Sequence, residues 1–147
     1  MPPVTPEVQA FATGFPLTLL HAAITVGLLI VGSAIYAWFT PYRDIQLIRE
    51  GNTAAAISLG AVLVGLALPL AVSLGYSTSE VEMVIWGVAI IVVQLFVFRL
   101  TDVVLRGLPR RIQAGEVSAA IFLAAIKIAT GLILAAAVAG VPLTGPA

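Results

Sequence analysis

The chain has 147 residues, of which 61% are hydrophobic and 10% are charged, and its mean hydropathy is +1.12. Soluble domains are about half apolar and about a quarter charged, so this composition excludes an ordinary soluble protein and indicates an integral membrane protein. Seven basic and seven acidic residues give a net charge of zero, which argues against a nucleic-acid partner. The absence of cysteine and the single histidine exclude disulfide scaffolds, thiol nucleophiles and Cys/His metal cages.

Four segments are long and apolar enough to cross a bilayer as helices. A hydrocarbon core of about 30 Å requires about 20 mainly apolar residues in a helix. The predicted spans are 13–39, 53–76, 83–106 and 117–140. The segments between them are short, so the sequence predicts an all-α integral membrane protein with a single domain over residues 1–147.

A short amphipathic segment lies between the first two spans. From Asp44 to Glu50, apolar and polar side chains are interleaved, and the segment follows Pro41. Proline is common in the first turn of a helix, so the pattern predicts one or two turns of helix at the membrane surface. Two interpretations remain open: a lid lying on the lipid headgroups, or a surface for a cytoplasmic peripheral protein.

The arginines predict how the chain is oriented in the membrane. Arg43 and Arg49 lie between the first two spans, and Arg106, Arg110 and Arg111 lie between the last two. In the connection on the other side and in the N-terminal segment, all of the charged residues are acidic. The positive-inside rule therefore places both arginine-containing connections in the cytoplasm and both termini outside.

An internal repeat is visible at an offset of 64 residues. Residues 48–61 align with residues 112–125, with seven of fourteen positions identical. The repeat predicts two helical hairpins, over about 13–76 and 83–140, in parallel orientation about an axis along the membrane normal. Chance similarity between alanine-rich apolar helices is the alternative explanation.

Small residues predict which helices lie at the centre of the bundle. Membrane helices associate through close packing at small side chains, and the second and fourth spans carry such pairs on two faces. The pairs are Ala56/Gly60 and Ala61/Gly65 in the second span, and Ala120/Ala124 and Ala125/Ala129 in the fourth. We expect these two spans to be central and the first and third to lie outside them. The additional small faces predict a homo-oligomer, and a monomeric four-helix bundle is the alternative.

Polar residues at the start of the second and fourth spans predict helix caps. Asn52 and Thr53 follow one glycine, and Glu116 follows another. Asparagine and acidic side chains satisfy the free N–H groups at a helix N-terminus and suit its positive end. We therefore interpret these three residues as caps.

Lys127 lies deep in the fourth span, whereas its repeat equivalent is Leu63. Ionisable residues inside a membrane span mark a functional site or a paired structural device. The spacing predicts an ion pair with Asp102, which lies near the corresponding end of the third span. Alternatively, Asp102 pairs within its own helix, because Arg99 and Arg106 are three and four residues away.

Further polar groups lie near the middle of the membrane. Pro69 has no N–H, so the carbonyl of Gly65 lacks its helical donor. Gln94 lies at similar depth in the third span and has two possible roles. It either bonds this carbonyl and joins two helices, or it lines a narrow hydrated path together with Lys127 and Asp102.

Several of these motifs occur together in one known family. The motifs are Thr40-Pro41, Gly51 to Ala55, Pro69-Leu70, Trp86-Gly87, Gln94-Leu95, Ala119-Ala120 and Gly131. In this order and spacing the chain resembles the YjfL-like small inner-membrane proteins, a family defined by a domain of unknown function (DUF350). The resemblance implies four spans in a bacterial inner membrane. The family has no established activity, although some members are associated with envelope-stress operons. The chain departs from the family at Leu134, where asparagine is usual, and at Lys127, where a small residue is usual.

The sequence contains no convincing catalytic constellation, because His21 is alone in the first span and no metal-binding spacing occurs. We therefore expect a protein that is not an enzyme and that needs no cofactor. One hypothesis is a homo-oligomeric permeation or transport protein for a small ion or solute. The other is a membrane scaffold in an envelope-stress complex, with the segments 44–50 and 106–116 docking a cytoplasmic partner.

Overall fold

A computed structural model describes residues 5–40 and 43–140, so Pro41 lies outside the described residues. Within these ranges the chain forms helices and no strand. The helices are α1 (Pro6–Phe39), α2 (Asp44–Arg49), α3 (Thr53–Tyr76), α4 (Glu80–Val104), α5 (Leu108–Gln113) and α6 (Val117–Ala139). Of these, α1, α3, α4 and α6 are long and apolar enough to cross a membrane. The predicted all-α membrane fold with four spans is confirmed.

The ends of two spans differ from the prediction. Helix α1 begins at Pro6 rather than near residue 13, because proline is compatible with the first helical turn and Glu7 favours the positive N-terminus. Helix α4 begins at Glu80 because the Ser79 side chain accepts a hydrogen bond from the N–H of Glu82. It ends before Gly107, whose φ of 95° is left-handed and cannot continue a helix.

Helices α3 and α6 form the centre of the bundle, as predicted. They cross at two glycines: a Cβ on Gly131 would lie 2.5 Å from the carbonyl oxygen of Gly65. Only hydrogen side chains permit this approach, which increases the van der Waals contact between the two helices. Helix α3 also contacts α1, α2, α4 and α5.

The first and third spans pack against this central pair and are buried to different extents. In α1 only 6% of the apolar segment is buried, whereas α4 and α6 each bury 33%. The third span is therefore more deeply buried than the first, a difference that the sequence did not predict. Helix α4 packs against both α1 and α3, with Gly87 directly against Leu28 and with Phe98 in the buried cluster that α3 lines.

The connections before α3 and α6 have the same local structure. Each is a short helix followed by a left-handed glycine, with φ of 87° at Gly51 and 82° at Gly115. The N–H of each glycine bonds the carbonyl three residues earlier, at 3.0 Å and 2.9 Å. The short helix α5 was missed by the sequence analysis, although Pro109 in its first turn and the repeat with α2 were available signals. The internal repeat stays a prediction, and this geometry agrees with it.

Beyond these connections, α3 and α6 bury different faces. The sequence repeat has an offset of 64 residues, but the buried residues of the two helices correspond at an offset of 65. Examples are Ser58 with Leu123 and Val62 with Lys127. One residue rotates a helical face by about 100°. Leu63 is therefore 40% exposed, whereas Lys127 at the repeat position is fully buried.

We call the end of the bundle that carries α2 and α5 the loop end, and the opposite end the terminal end.

Candidate functional site

The ammonium group of Lys127 is buried among three other helices. Its Nζ donates a hydrogen bond to Tyr36 Oη of α1 at 2.6 Å and lies 3.5 Å from Ser58 Oγ of α3. It also lies 4.5 Å from the ring centroid of Tyr36 and 5.5 Å from that of Phe98 of α4. Helical side chains lean toward the helix N-terminus, so the ammonium reaches from the middle of α6 toward the loop end.

The predicted ion pair between Lys127 and Asp102 is wrong. In the described part of the chain, the contacts within 4.0 Å between basic and acidic side chains are His21 with Glu80 and Arg111 with Glu116. Asp102 therefore pairs neither with Lys127 nor with the arginines of its own helix. The reason is geometric: α4 ends at Val104, so Asp102 lies at the edge of the bundle, while Tyr36 and Ser58 bind the ammonium deeper inside.

The second buried charge at this end is Asp44, which the sequence analysis did not select. It is the first residue of α2 and is only 3% exposed. Neither carboxylate oxygen has a hydrogen-bond partner among the described residues. Burial raises the pKa of Asp44 to about 6; the charge of Lys127 acts in the opposite direction, and that of Asp102 adds to the rise. The repeat offered a signal, because Asp44 aligns with Leu108, whose buried position suits an apolar side chain.

These charges lie beside open space at the loop end. A cavity of about 420 Å³ is lined by Tyr36, Phe39, Thr40, Leu95, Phe96, Arg99 and Asp102. A shallower depression of about 620 Å³ is lined by Asp102, Val103, Arg106, Gly107, Pro109, Arg110 and Gln113. Asp102 lines both, and Tyr36 connects the first to Lys127. We call Lys127, Tyr36, Asp44 and Asp102 the loop-end cluster.

Gln94 forms the predicted bond between helices. Its Nε2 donates to the carbonyl oxygen of Gly65 at 3.3 Å and lies 3.5 Å from that of Lys127. Pro69 lies one turn beyond Gly65 inside α3 and cannot donate to that carbonyl. Of the two roles considered for Gln94, the bond joining two helices is therefore confirmed. The amide is 1% exposed and closes the polar region at the level of the glycine crossing.

The terminal end of the bundle is filled mainly by apolar side chains, and Ser73 of α3 is a buried polar residue there. Leu70, Ile90 and Val138 form a buried cluster, which we call the terminal-end cluster. Leu134 packs against this cluster. At the outer edge, His21 Nε2 lies 3.5 Å from Glu80 Oε1 and links α1 to α4.

The predicted caps behave differently in the two halves. Asn52 caps α3, because its Oδ1 accepts from the N–H of Ala55 at 2.9 Å. Its Nδ2 also donates to the carbonyls of Ile112 and Gln113, both at 3.1 Å, and so joins the two connections. Thr53 is the first residue of α3 and has no capping role of its own in the described structure.

Glu116 occupies the cap position of α6 but makes no capping bond with its side chain, so that prediction is wrong. Its carboxylate instead accepts hydrogen bonds from Arg111, with Nε at 2.6 Å, and from Ser118. The guanidinium of Arg111 lowers the pKa of Glu116 to about 2. The neighbouring Arg110 is exposed at the surface of α5.

Comparison with known proteins agrees with the resemblance seen in the sequence. Residues 10–138 match the family described as Domain of Unknown Function (DUF350). The chain is 30% identical to the UPF0719 inner membrane protein YjfL of Escherichia coli K12 over 113 residues, which cover 77% of this chain and 86% of the relative. The protein of the same name in Escherichia coli O157:H7 is equally similar. No solved structure matches. The chain therefore belongs to the DUF350 family and is a multi-pass inner membrane protein.

Proposed function

We propose that this protein is a permeation or transport protein for a small ion, and not an enzyme, with an access path that leads from the loop end to Lys127. The observation that carries the proposal is the fully buried ammonium held by Tyr36, which itself lines the cavity shared with Asp102. Burying a charge inside a membrane is costly, and such charges typically mark ion pathways. A purely structural lysine would gain little from an adjoining cavity with charged walls.

The distribution of arginines supports an orientation for this path. Arg43, Arg49, Arg106, Arg110 and Arg111 all lie at the loop end, so the positive-inside rule makes this end cytoplasmic and the termini external. The access path then opens toward the cytoplasm. The terminal-end cluster closes it on the outer side, so permeation requires these apolar side chains to separate.

A homo-oligomer is part of the proposal. Ala125 and Ala129 of α6 are exposed, and a Cβ placed on Gly60 of α3 would meet no atom within 4 Å. Small residues on the outside of a bundle allow close approach of another helix. These faces of α3 and α6 are the surfaces that we expect to meet a second copy.

The test is ion flux into liposomes that contain the purified protein, with and without a membrane potential. Lys127→Leu removes the buried charge, and we expect it to change the flux while the protein remains inserted and helical. Arg111→Gln is the matched control, because it removes an exposed cation of α5 that lines neither the cavity nor the depressions beside it. We expect this control to behave as wild type. Flux no greater than that of empty liposomes would refute the proposal.

A scaffold that docks a cytoplasmic protein is the second candidate function. It is favoured by the depression lined by Arg106 and Arg110, which presents two cations beside each other at the loop end. Arg110→Glu should then abolish capture of an acidic partner, whereas Arg111→Glu also breaks the contact with Glu116 and is less specific. Loss of capture combined with an absence of flux would favour this second role.

A further inference from the structure

Asp44 lies in an unusual environment for a carboxylate. Asp44 is only 3% exposed, and both of its carboxylate oxygens lack a hydrogen-bond partner among the described residues. A buried carboxylate without a partner is unfavourable and is normally neutralised by a proton, a cation or an ion pair. The described structure provides no ion pair to Asp44 within 4.0 Å.

The groups around Asp44 define what can neutralise it. Lys127 from α6 and Asp102 from α4 both interact with it electrostatically, and Tyr36 from α1 binds the same ammonium. On its own segment, Arg43 and Arg49 line a surface depression together with Asp44. Helix α3, which packs against α2, contributes only the hydroxyl of Ser58 to the ammonium. Arg99 of α4 lines the same cavity as Asp102 and acts on it electrostatically. Among the described residues no cation lies within 4.0 Å of Asp44, so the charge of the Asp44 carboxylate itself is left to be balanced.

A proton balances this charge better than a metal ion does. Metal ions need several protein ligands, and alkali or divalent ions prefer oxygen ligands in numbers above two. In the part of the chain that the structure describes, no group of three His, Cys, Asp or Glu side chains is arranged to hold a metal ion. A proton needs only one carboxylate oxygen and no coordination shell.

We propose that the Asp44 carboxylate is a proton-binding site, and that the proton is the ion which the path to Lys127 carries. The second half of this statement rests on the proposed function. A hydronium ion at the loop end transfers its proton to one Asp44 oxygen, forms the O–H bond of the neutral carboxyl and leaves as water. The cluster then holds Lys127 and Asp102 as opposite charges. Release of the proton restores the second carboxylate.

Infrared difference spectra of reconstituted protein at acidic and neutral pH test the site directly. A neutral carboxyl has a C=O stretch that a carboxylate lacks. We expect wild type to show a band that titrates near pH 6, and Asp44→Asn to lose it. Glu50→Gln is the matched control, because it removes an exposed carboxylate just after α2 and should retain the band. A wild-type band that survives in Asp44→Asn, or no band near pH 6, would overturn the proposal.

Thermal unfolding in detergent gives a second readout. Because folding raises the pKa of Asp44 from 3.8 to about 6, the folded state binds more protons than the unfolded state between these values. The protein should therefore gain stability as the pH falls from above 6 toward 3.8, and lose it as the pH rises through 6. Asp44→Asn should remove this part of the pH dependence, whereas Asp44→Glu should retain a titration.

The outcomes separate this inference from the proposed function. Proton uptake into liposomes, followed with a trapped pH-sensitive dye, should be lost in Asp44→Asn and kept in Glu50→Gln. An infrared band without any ion flux would keep the proton site but refute its transport role. Flux of another ion without the band would keep the proposed function and overturn the proton site.

Discussion

The two ends of the helix bundle are built from the same four spans but have opposite chemistry. At the loop end, Tyr36 and Asp102 line a cavity and Lys127 and Asp44 are buried. At the terminal end, Leu70, Ile90 and Val138 form an apolar cluster. All four spans have similar mean hydropathy, between 2.0 and 2.4. The comparison shows that the polarity of the interior is decided by which faces the helices bury, and not by how apolar each helix is.

The boundary between the two ends is the crossing of α3 and α6. Gly65 and Gly131 bring the two backbones together, and Gln94 bonds the Gly65 carbonyl at the same level. Close backbone packing leaves no side-chain gap through which water can pass. In the structure the polar region therefore ends at this crossing. If the protein conducts ions, the helices must separate at the crossing to let them pass.

The largest effect is expected when this boundary is forced apart. Gly131→Ala places a methyl group 2.5 Å from the carbonyl oxygen and 2.9 Å from the Cα of Gly65, so the helices must separate. We expect a loss of about 3 kcal/mol in the free energy of unfolding in detergent. Gly75→Ala is the control on the same helix α3, since a methyl group there meets no atom within 4 Å and Gly75 lies on neither proposed contact face. Equal stability of the two variants would contradict the crossing.

A smaller effect is expected from weakening the terminal-end cluster. Leu70 is 2% exposed, so Leu70→Ala leaves a cavity that costs about 2 kcal/mol. If this cluster is the outer barrier, the same variant should raise ion leak through reconstituted liposomes. Leu63→Ala, at a residue that is 40% exposed on the same helix, should change neither property. A leak equal to wild type in Leu70→Ala would mean that the barrier lies elsewhere.

The smallest expected effect is the difference in unfolding free energy between variants in the two connections at the loop end. Asn52→Ala removes a cap and two bonds to the other connection, and we expect a loss of about 1 kcal/mol in unfolding free energy. Glu116→Ala removes exposed contacts with Arg111 and Ser118, and exposed ion pairs add little to stability. Chemical denaturation of both variants gives the comparison. A larger loss for Glu116→Ala would show that the two halves are not capped as the structure indicates.

Local chemistry was predictable where its partners lie close in the chain or follow from one backbone rule. The spans follow from hydropathy, the capping bond of Asn52 follows from its position before α3, and the free carbonyl of Gly65 follows from Pro69. A buried amide needs a hydrogen-bond partner, and the free carbonyl of Gly65 lies at the depth of Gln94, so their bond was predictable. Helix α5 was missed because six residues with two arginines give no clear apolar period.

Side chains that meet across the bundle were predicted less well. The depth of Lys127 and Asp102 suggested an ion pair, but depth along the membrane says nothing about rotation of α4 and α6 about their own axes. Tyr36 lies near the end of α1, where tyrosine is typical of an interfacial anchor, yet it is 5% exposed and accepts the bond from Lys127. Asp44 was read as part of a surface segment, yet α2 packs it inward.

Composition, hydropathy and the positions of arginine, glycine and proline determined the membrane fold, its four spans and the central pairing of α3 with α6. These properties depend on the cost of exposing backbone and charge to lipid, which acts on each segment separately. The tertiary structure alone decided that Tyr36 binds Lys127, that Asp44 is buried with no hydrogen-bond partner among the described residues, and that one end of the interior is polar. Those outcomes depend on helix rotation and on the one-residue difference between the buried faces of α3 and α6, which packing of the whole bundle sets.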